Sequence, residues 1–164
     1  MSIEKVKAYL SSLGCQREPI EFVADTATVA LAAAALGCEE RMIAKTLSFD
    51  TANGAILVVV SGEAKVDNRK YKDKFGEKAR MISFDEVEAK TGHAPGGVCP
   101  FAIKDGVKVY ADVSLRRFET FYPAAGSSHS AIPMNCDELE KYGNVIEWVD
   151  VCKGWRDDEQ QYQG

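Results

Sequence analysis

Five apolar residues in a row, Ile56-Leu57-Val58-Val59-Val60, constrain this chain more than any other segment. A run with no polar position has no face to offer to water, so it fits a strand covered on both sides. Upstream stands Asn53-Gly54, a strong hairpin signal. Before that, Lys45-Thr46-Leu47-Ser48-Phe49 alternates. The pattern predicts two strands, Lys45 to Phe49 and Ala55 to Ser61, joined through Thr51-Ala52-Asn53-Gly54. Alternation puts Lys45, Leu47 and Phe49 on one face and Thr46 and Ser48 on the other.

Around this pair the remaining elements follow from spacing and caps. Ile3, Val6, Leu10 and Leu13 recur at helical spacing, with Ser2 as a cap and Gly14 as a stop. Ile20 to Val23 reads as a short extended piece. Thr26 or Asp25 is expected to cap a small-faced helix, Ala27 to Leu36, and Cys38 to Ala44 adds a helical turn or two. Asp67 caps a basic helix that ends near Gly76, in which Tyr71 and Phe75 share the core side. Ala79 to Ile82 is a strand candidate. Ser83 and Glu86 form a capping-box pattern before a helix ending near Gly92. Residues 93–100 form a loop. Ala102-Ile103 and Val107 to Ala111 flank Asp105-Gly106 as a second hairpin. Further strands are expected at 121–124, 131–134 and 145–149, with a helix from the box Asn135/Glu138 to Gly143. The hairpins argue against a purely parallel, doubly wound sheet. The fold class is mixed α/β (α+β), a mixed, mostly antiparallel sheet with helices packed around it.

The 164 residues suit one domain, expected over 1–150, followed by a polar tail, 151–164, that frays. A net charge of −5 argues against a protein that coats duplex nucleic acid, though not against contact with one end of an RNA. No run of 18 apolar residues offers a membrane span. The start, Met1-Ser2-Ile3-Glu4-Lys5, lacks signal-peptide character, and a cytoplasmic location is expected. Cys15, Cys38, Cys99, Cys136 and Cys152 contain no CxxC pair and read as free thiols.

Two places could carry chemistry. Lys45 stands at a strand's end among apolar residues, where its stem can lie on the core and its ammonium can enter a cleft or simply reach water. In the loop Gly96-Gly97-Val98-Cys99-Pro100, two glycines let backbone approach a ligand and turn N–H groups toward a carbonyl oxygen or oxyanion. The same loop also serves as a plain connection.

These residues carry a resemblance. Lys45-Thr46-Leu47-Ser48-Phe49 resembles the Lys-Thr-Leu-x-Phe strand of the YbaK/prolyl-tRNA synthetase-associated editing domains. Thr91-Gly92-His93-Ala94-Pro95-Gly96-Gly97-Val98-Cys99-Pro100-Phe101 is similar to that family's Gly-Gly-Val-Ser-Pro-Phe loop. Val109-Tyr110-Ala111-Asp112, Ala125-Gly126 and the small-residue helix from Thr28 to Gly37 also match, in order, over roughly residues 20 to 142. The resemblance implies an aminoacyl-tRNA deacylase acting in trans on tRNA(Pro), or another tRNA, that carries alanine, cysteine or serine. It makes Lys45 the essential residue and Gly96, Gly97, Val98, Cys99 and Pro100 the backbone that contacts the aminoacyl group. Thr28, Asp112, Gly126 and His129 complete the expected substrate site. It implies water attack helped by the terminal ribose hydroxyl, no metal and no other cofactor. The partners implied are the acceptor end of aminoacyl-tRNA and prolyl-tRNA synthetase as the candidate synthetase, with no membrane and no DNA.

Alternatives stay open at this level. Lys45 either stabilises the oxyanion or grips the terminal phosphate or ribose. Cys99 stands where the family commonly has serine, which allows a pocket-tuning swap or a Cys–His ester or thioester hydrolase with His93 or His129. Asp112 either fixes the site, pairs with Lys45, or caps the next short helix. His129 either orients substrate or lies on the surface. Lys65, Arg69, Lys70, Lys72 and Lys74, with Lys78 and Arg80 beyond, form the expected patch for tRNA phosphates or a solvated helix face. A non-catalytic tRNA- or synthetase-binding module is the remaining functional alternative.

Overall fold

In the computed structural model, which describes residues 2–156, the apolar run becomes the centre of the main sheet. Strands β2 (Ile43–Thr51) and β3 (Gly54–Ser61) pair antiparallel from Ala44↔Ser61 to Thr51↔Gly54. The turn closes because Gly54 takes φ 112° and the Thr51 hydroxyl donates to the Gly54 carbonyl at 2.6 Å. The free edge of β3 takes β5 (Lys108–Asp112) in parallel, and β5 takes β8 (Val145–Val149), also in parallel. Beyond β2, the two-residue strand β6 (Tyr122–Pro123) is parallel as well, which completes the order β6-β2-β3-β5-β8. Two antiparallel ribbons flank the sheet: β1 (Ile20–Glu21) with β7 (Ser130–Ala131), and β4 (Lys65–Val66) with β9 (Cys152–Lys153).

Period-two alternation in β3 splits the core. Leu57 and Val59 face a cluster with Val6, Leu10, Phe101, Val109, Ala111, Leu115 and Leu139. There α1 (Ser2–Ser12) and α5 (Cys136–Tyr142) cover the sheet. Val58 and Val60 face the opposite cluster with Phe49, Tyr71, Val149, Val151 and Trp155. Here α3 (Asn68–Phe75) is the lid, and Phe49, Tyr71, Phe75 and Tyr110 follow one another as tilted or T-shaped ring pairs with centroids 4.6–5.0 Å apart. Leu57 and the three valines of β3 are each 0% exposed. Such burial is worth roughly 1.5–3 kcal/mol per side chain. A third, small cluster lies under α2 (Val29–Leu36), where Ala32 and Ala33 meet Ile43. Alanines let that helix sit close to the strand edge.

Several local expectations are corrected. The cap of α2 is Thr28, whose hydroxyl accepts from the Leu31 N–H at 3.1 Å. Thr26 is occupied by the Ser128 carbonyl and Asp25 by the Ala27 N–H. The Ser83/Glu86 box does not form. The Glu86 carboxylate is drawn forward to Lys90 at 2.6 Å, and α4 runs only over Val87–Thr91. The Asp105-Gly106 turn forms, yet no hairpin does. Ala102 at φ 55° breaks the extended arm that would precede it, and β5 pairs with β3 instead. The stretch 79–82 gives a single bridge, Phe49↔Met81, rather than a strand. The expected fraying from residue 151 does not occur over 151–156: Val151 and Cys152 are fully buried, and Trp155 is 9% exposed. The rest of that expected tail lies outside the described residues. The Asn135/Glu138 capping box and the αL glycine stops at 37, 76 and 92 are present as read.

Candidate active site

The site arises where the sheet edge is left open. β6 pairs only with Ile43 and Ala44 of β2. At the far end, Ile82 donates to the Ser48 carbonyl and Asp50 to the Arg80 carbonyl. Between these, Lys45 to Leu47 border a cavity of about 270 Å³. Its other walls are Thr26 to Val29 and Ala32, Gly96 and Val98, Tyr122 and Ala124, and Ser130 and Ala131. Because the cavity opens at a strand edge, neighbouring residues of opposite faces, Lys45 and Thr46, both reach it.

Lys45 is half-buried, and among the described residues its ammonium has no hydrogen bond or ion-pair partner. Burial pushes its pKa below the ordinary value, and nearby Lys65 pushes the same way against the thiol of Cys152. An unpartnered, partly desolvated cation is held ready for an anion or a carbonyl dipole. Beside it the Thr46 hydroxyl is buried without a partner.

The glycine loop is positioned by close packing. A Cβ on Gly97 would lie 2.8 Å from the backbone of Ser127, so only glycine lets the loop rest on the 126–128 turn. Gly96 holds φ 86°, between Ala27 and Ser128. The Gly97 N–H is used internally, on the Ala94 carbonyl. The N–H groups of Gly96 and Val98, on the cavity wall, make no hydrogen bond with a described residue. The facing turn is fixed by Ser130, whose hydroxyl accepts from Ala125 and Ser127 N–H groups. It is tied to the 22–26 segment by two bonds from Thr26 to the Ser128 carbonyl.

Of the residues read from the sequence, Lys45, Thr28, Gly96 and Val98 line the cavity, and Gly97 and Gly126 build its support. Four do not reach it. Pro100 is buried beside Gly143. Asp112 is fully buried, with one oxygen capping Ser114 N–H and the other accepting from Val151 N–H, so it does not pair with Lys45. His129 is exposed, with Nδ1 3.0 Å from the Ala24 carbonyl. Cys99 is fully buried, 3.6 Å from His93 Nε2.

That last pair cannot act as a Cys–His nucleophile. His93 Nε2 lies 2.7 Å from the Phe101 carbonyl, so it carries the proton and cannot accept one from the thiol. Burial pushes the Cys99 thiol up to about 12 and the imidazole down, which leaves both neutral. Among the described residues no His, Cys, Asp and Glu cluster has the makings of a metal site.

Sequence reading missed Thr26, Thr46, Tyr122, Ala124, Ser130 and Ala131. The expected phosphate patch divides: Lys74 is held by Glu147 at 2.6 Å, and Lys70 by Asp150 and the Cys152 carbonyl. Lys65, Arg69 and Lys72 are exposed and make no ion pair with a described residue.

A mixed sheet with an open β2 edge, a lysine on that edge and a glycine loop facing it defines a class. The chain belongs to the aminoacyl-tRNA editing domain family, whose sequence profile matches residues 23–142. It is 44% identical over 156 residues to YwhH of Bacillus subtilis (strain 168), a protein named as uncharacterized, covering 94% of this chain and 99% of that one. It is 28% identical over 96 residues to EbsC of Enterococcus faecalis (strain ATCC 700802 / V583), named as a candidate Cys-tRNA(Pro)/Cys-tRNA(Cys) deacylase. That match spans 57% of this chain and 58% of EbsC. Among solved structures, a candidate trans-editing enzyme for prolyl tRNA synthetase superposes with a TM-score of 0.85 at 29% identity, over 93% of this chain and 98% of that one. The hypothetical protein APE2540 gives 0.82 at 29% identity, over 91% and 99%.

Proposed function

We propose that this protein hydrolyses the ester of tRNA charged with a wrong, small amino acid, acting in trans on tRNA(Pro). The observation that carries the reading is an unpartnered, half-buried lysine on the wall of a cavity lined mostly by small residues, among them Gly96 and Val98, whose N–H groups make no hydrogen bond with a described residue. At about 270 Å³ the cavity is small for a ligand site, which suits an aminoacyl group with a short side chain. Water adds to the ester carbonyl carbon, and the oxygen gains negative charge. The N–H groups of Gly96 and Val98 and the Lys45 ammonium are the donors available to that oxygen. Collapse breaks the carbon–oxygen bond to the ribose; the proton released by the attacking water ends on the leaving ribose oxygen, so the amino acid departs and the tRNA regains its hydroxyl. The names of EbsC and of the structural neighbour make tRNA(Pro) the first substrate to try.

The test is deacylation of tRNA(Pro) charged separately with alanine, cysteine, serine, threonine and proline. One wrong amino acid should be released and proline spared, with the rate lowered at least about 100-fold in Lys45→Ala, as for loss of an oxyanion donor. No release from any of the five, by protein that still binds the tRNA, overturns the reading in favour of a binding module.

A further inference from the structure

A second concavity lies at the start of α3, the helix that follows the β4 ribbon carrying Lys65. It is an open depression of about 500 Å³ lined by Asn68, Arg69, Lys72, Lys78 and Ala79. Arg69 and Lys72 are three apart on α3 and share a face. Lys78 comes back against them after the Gly76 stop. All three cations are exposed, and none makes an ion pair with a described residue. The acids nearby are mostly engaged. Asp67 accepts from the N–H groups of Arg69 and Lys70, and Glu77 is held by the Ala52 N–H and Arg80. Asp73 is left as the one exposed acid within α3. In a chain of net charge −5, three unpaired cations around one depression are a local reversal of sign.

We infer that this depression is an RNA phosphate-binding groove, holding the acceptor stem while the aminoacylated end enters the cavity; this rests on the reading of the cavity given above. Continuity favours RNA over a free anion. Lys65 opens the ribbon that leads directly into α3, and it lies near enough to Lys45 to act on its charge. Lys65 thus links the two places: it acts on the charge of Lys45 at the cavity, and the chain runs from it through β4 into the helix that carries Arg69 and Lys72. Lys70 and Lys74, which the sequence alone would include, are tied to acids and stand outside the groove.

The experiment is fluorescence anisotropy with 5′-labelled, uncharged tRNA(Pro) across a salt titration. The protein, the triple variant Arg69→Gln/Lys72→Gln/Lys78→Gln and the control Lys104→Gln/Lys108→Gln are compared. The control removes two exposed lysines outside the groove. The triple variant should bind at least about tenfold more weakly, with the salt slope reduced by roughly 2, at about 0.7–0.9 per lost phosphate contact. The control should stay within about twofold, and Arg69→Lys/Lys72→Arg/Lys78→Arg should restore binding. Equal loss in triple variant and control, or no loss in the triple variant, overturns the groove. Uncharged RNA needs no ester, so a failure of deacylation leaves this test standing. If deacylation holds, an aminoacylated CCA trinucleotide, which has no stem, should be cleaved by the triple variant at the unaltered rate, while KM for whole tRNA rises. An unchanged KM for whole tRNA sinks the groove alone.

Discussion

At the scale of single residues, Lys45 is in conflict with the fold's own stability. Its folded-state pKa is depressed, chiefly by burial, below the 10.5 of an exposed lysine. Between those two values the unfolded chain binds a proton that the native state has released, so stability rises with pH through that window. Below it, at neutral pH, the native state carries the whole cost of a desolvated charge. Lys45→Met keeps the stem and removes the charge. It should raise stability by about 1 kcal/mol, or roughly 2–4 °C in Tm for a chain of this size, while abolishing deacylation. Differential scanning calorimetry at pH 7 checks it, and a lower Tm would show that Lys45 has a structural partner. The pattern left Lys45 either entering a cleft or reaching water and the resemblance singled it out; the structure puts it on the cavity wall. Thr46 was not legible, since alternation alone assigns it to the other face and does not say that the edge is open there. For Asp112 and His129 the sequence left alternatives that only their partners decide: Asp112 caps the short helix that follows and accepts from Val151 N–H, and His129 lies on the surface beside the Ala24 carbonyl.

At the scale of elements, the loop from Gly96 to Phe101 depends on shape more than on side-chain chemistry. Gly97 lets two backbones meet at a distance no Cβ permits. Gly97→Ala should cost roughly 1–3 kcal/mol as an overpacked contact, and it should lower kcat by displacing the Gly96 and Val98 N–H groups. Gly106→Ala is the matched control. Gly106, unlike Gly97, has positive φ, at 89°, and a Cβ there would meet nothing within 4 Å. It should lose about 1 kcal/mol through strain alone and keep full activity. Urea midpoints and deacylation rates measured on both variants separate contact from strain, and equal activity in the two would remove the loop from the site. The hairpin of β2 and β3 was readable because its turn and both arms are local. The false hairpin at Asp105-Gly106 shows the limit. The turn signal was correct, but the partner of β5 was decided by the open edge of β3, some fifty residues earlier in the chain. The Ser83/Glu86 box failed for a related reason, because Lys90 competed for the same carboxylate.

At the scale of the whole molecule, the apolar run from Ile56 to Val60 predicted a covered central strand, and the two core clusters on its faces are what that prediction requires. What composition could not show is where the fold ends. Polarity after Asp150 suggested a tail, yet Val151, Cys152 and Trp155 are interleaved with charged or small residues and close the second cluster. β9 pairs with β4, and Val151 donates to Asp112 and accepts from Asp67. The Trp155 carbonyl accepts from Arg117, whose guanidinium lies 4.9 Å from the Trp155 ring. Ending the chain at Asp150 would remove these contacts and leave one oxygen of the buried Asp112 carboxylate unsatisfied. Loss of the tryptophan alone costs about 3–5 kcal/mol by analogy with core truncations. With valine and the orphaned carboxylate added, the loss is on the order of the 5–15 kcal/mol that holds a domain together. The truncated chain should therefore lack a cooperative urea transition and near-ultraviolet circular dichroism. Trp155→Ala should unfold cooperatively at a lowered midpoint. The β4–β9 ribbon also places Lys65, so the same variant should weaken tRNA binding more than Gly106→Ala does. A truncated chain with the parent's midpoint would return the boundary to residue 150 and detach the ribbon from the groove it is argued to align.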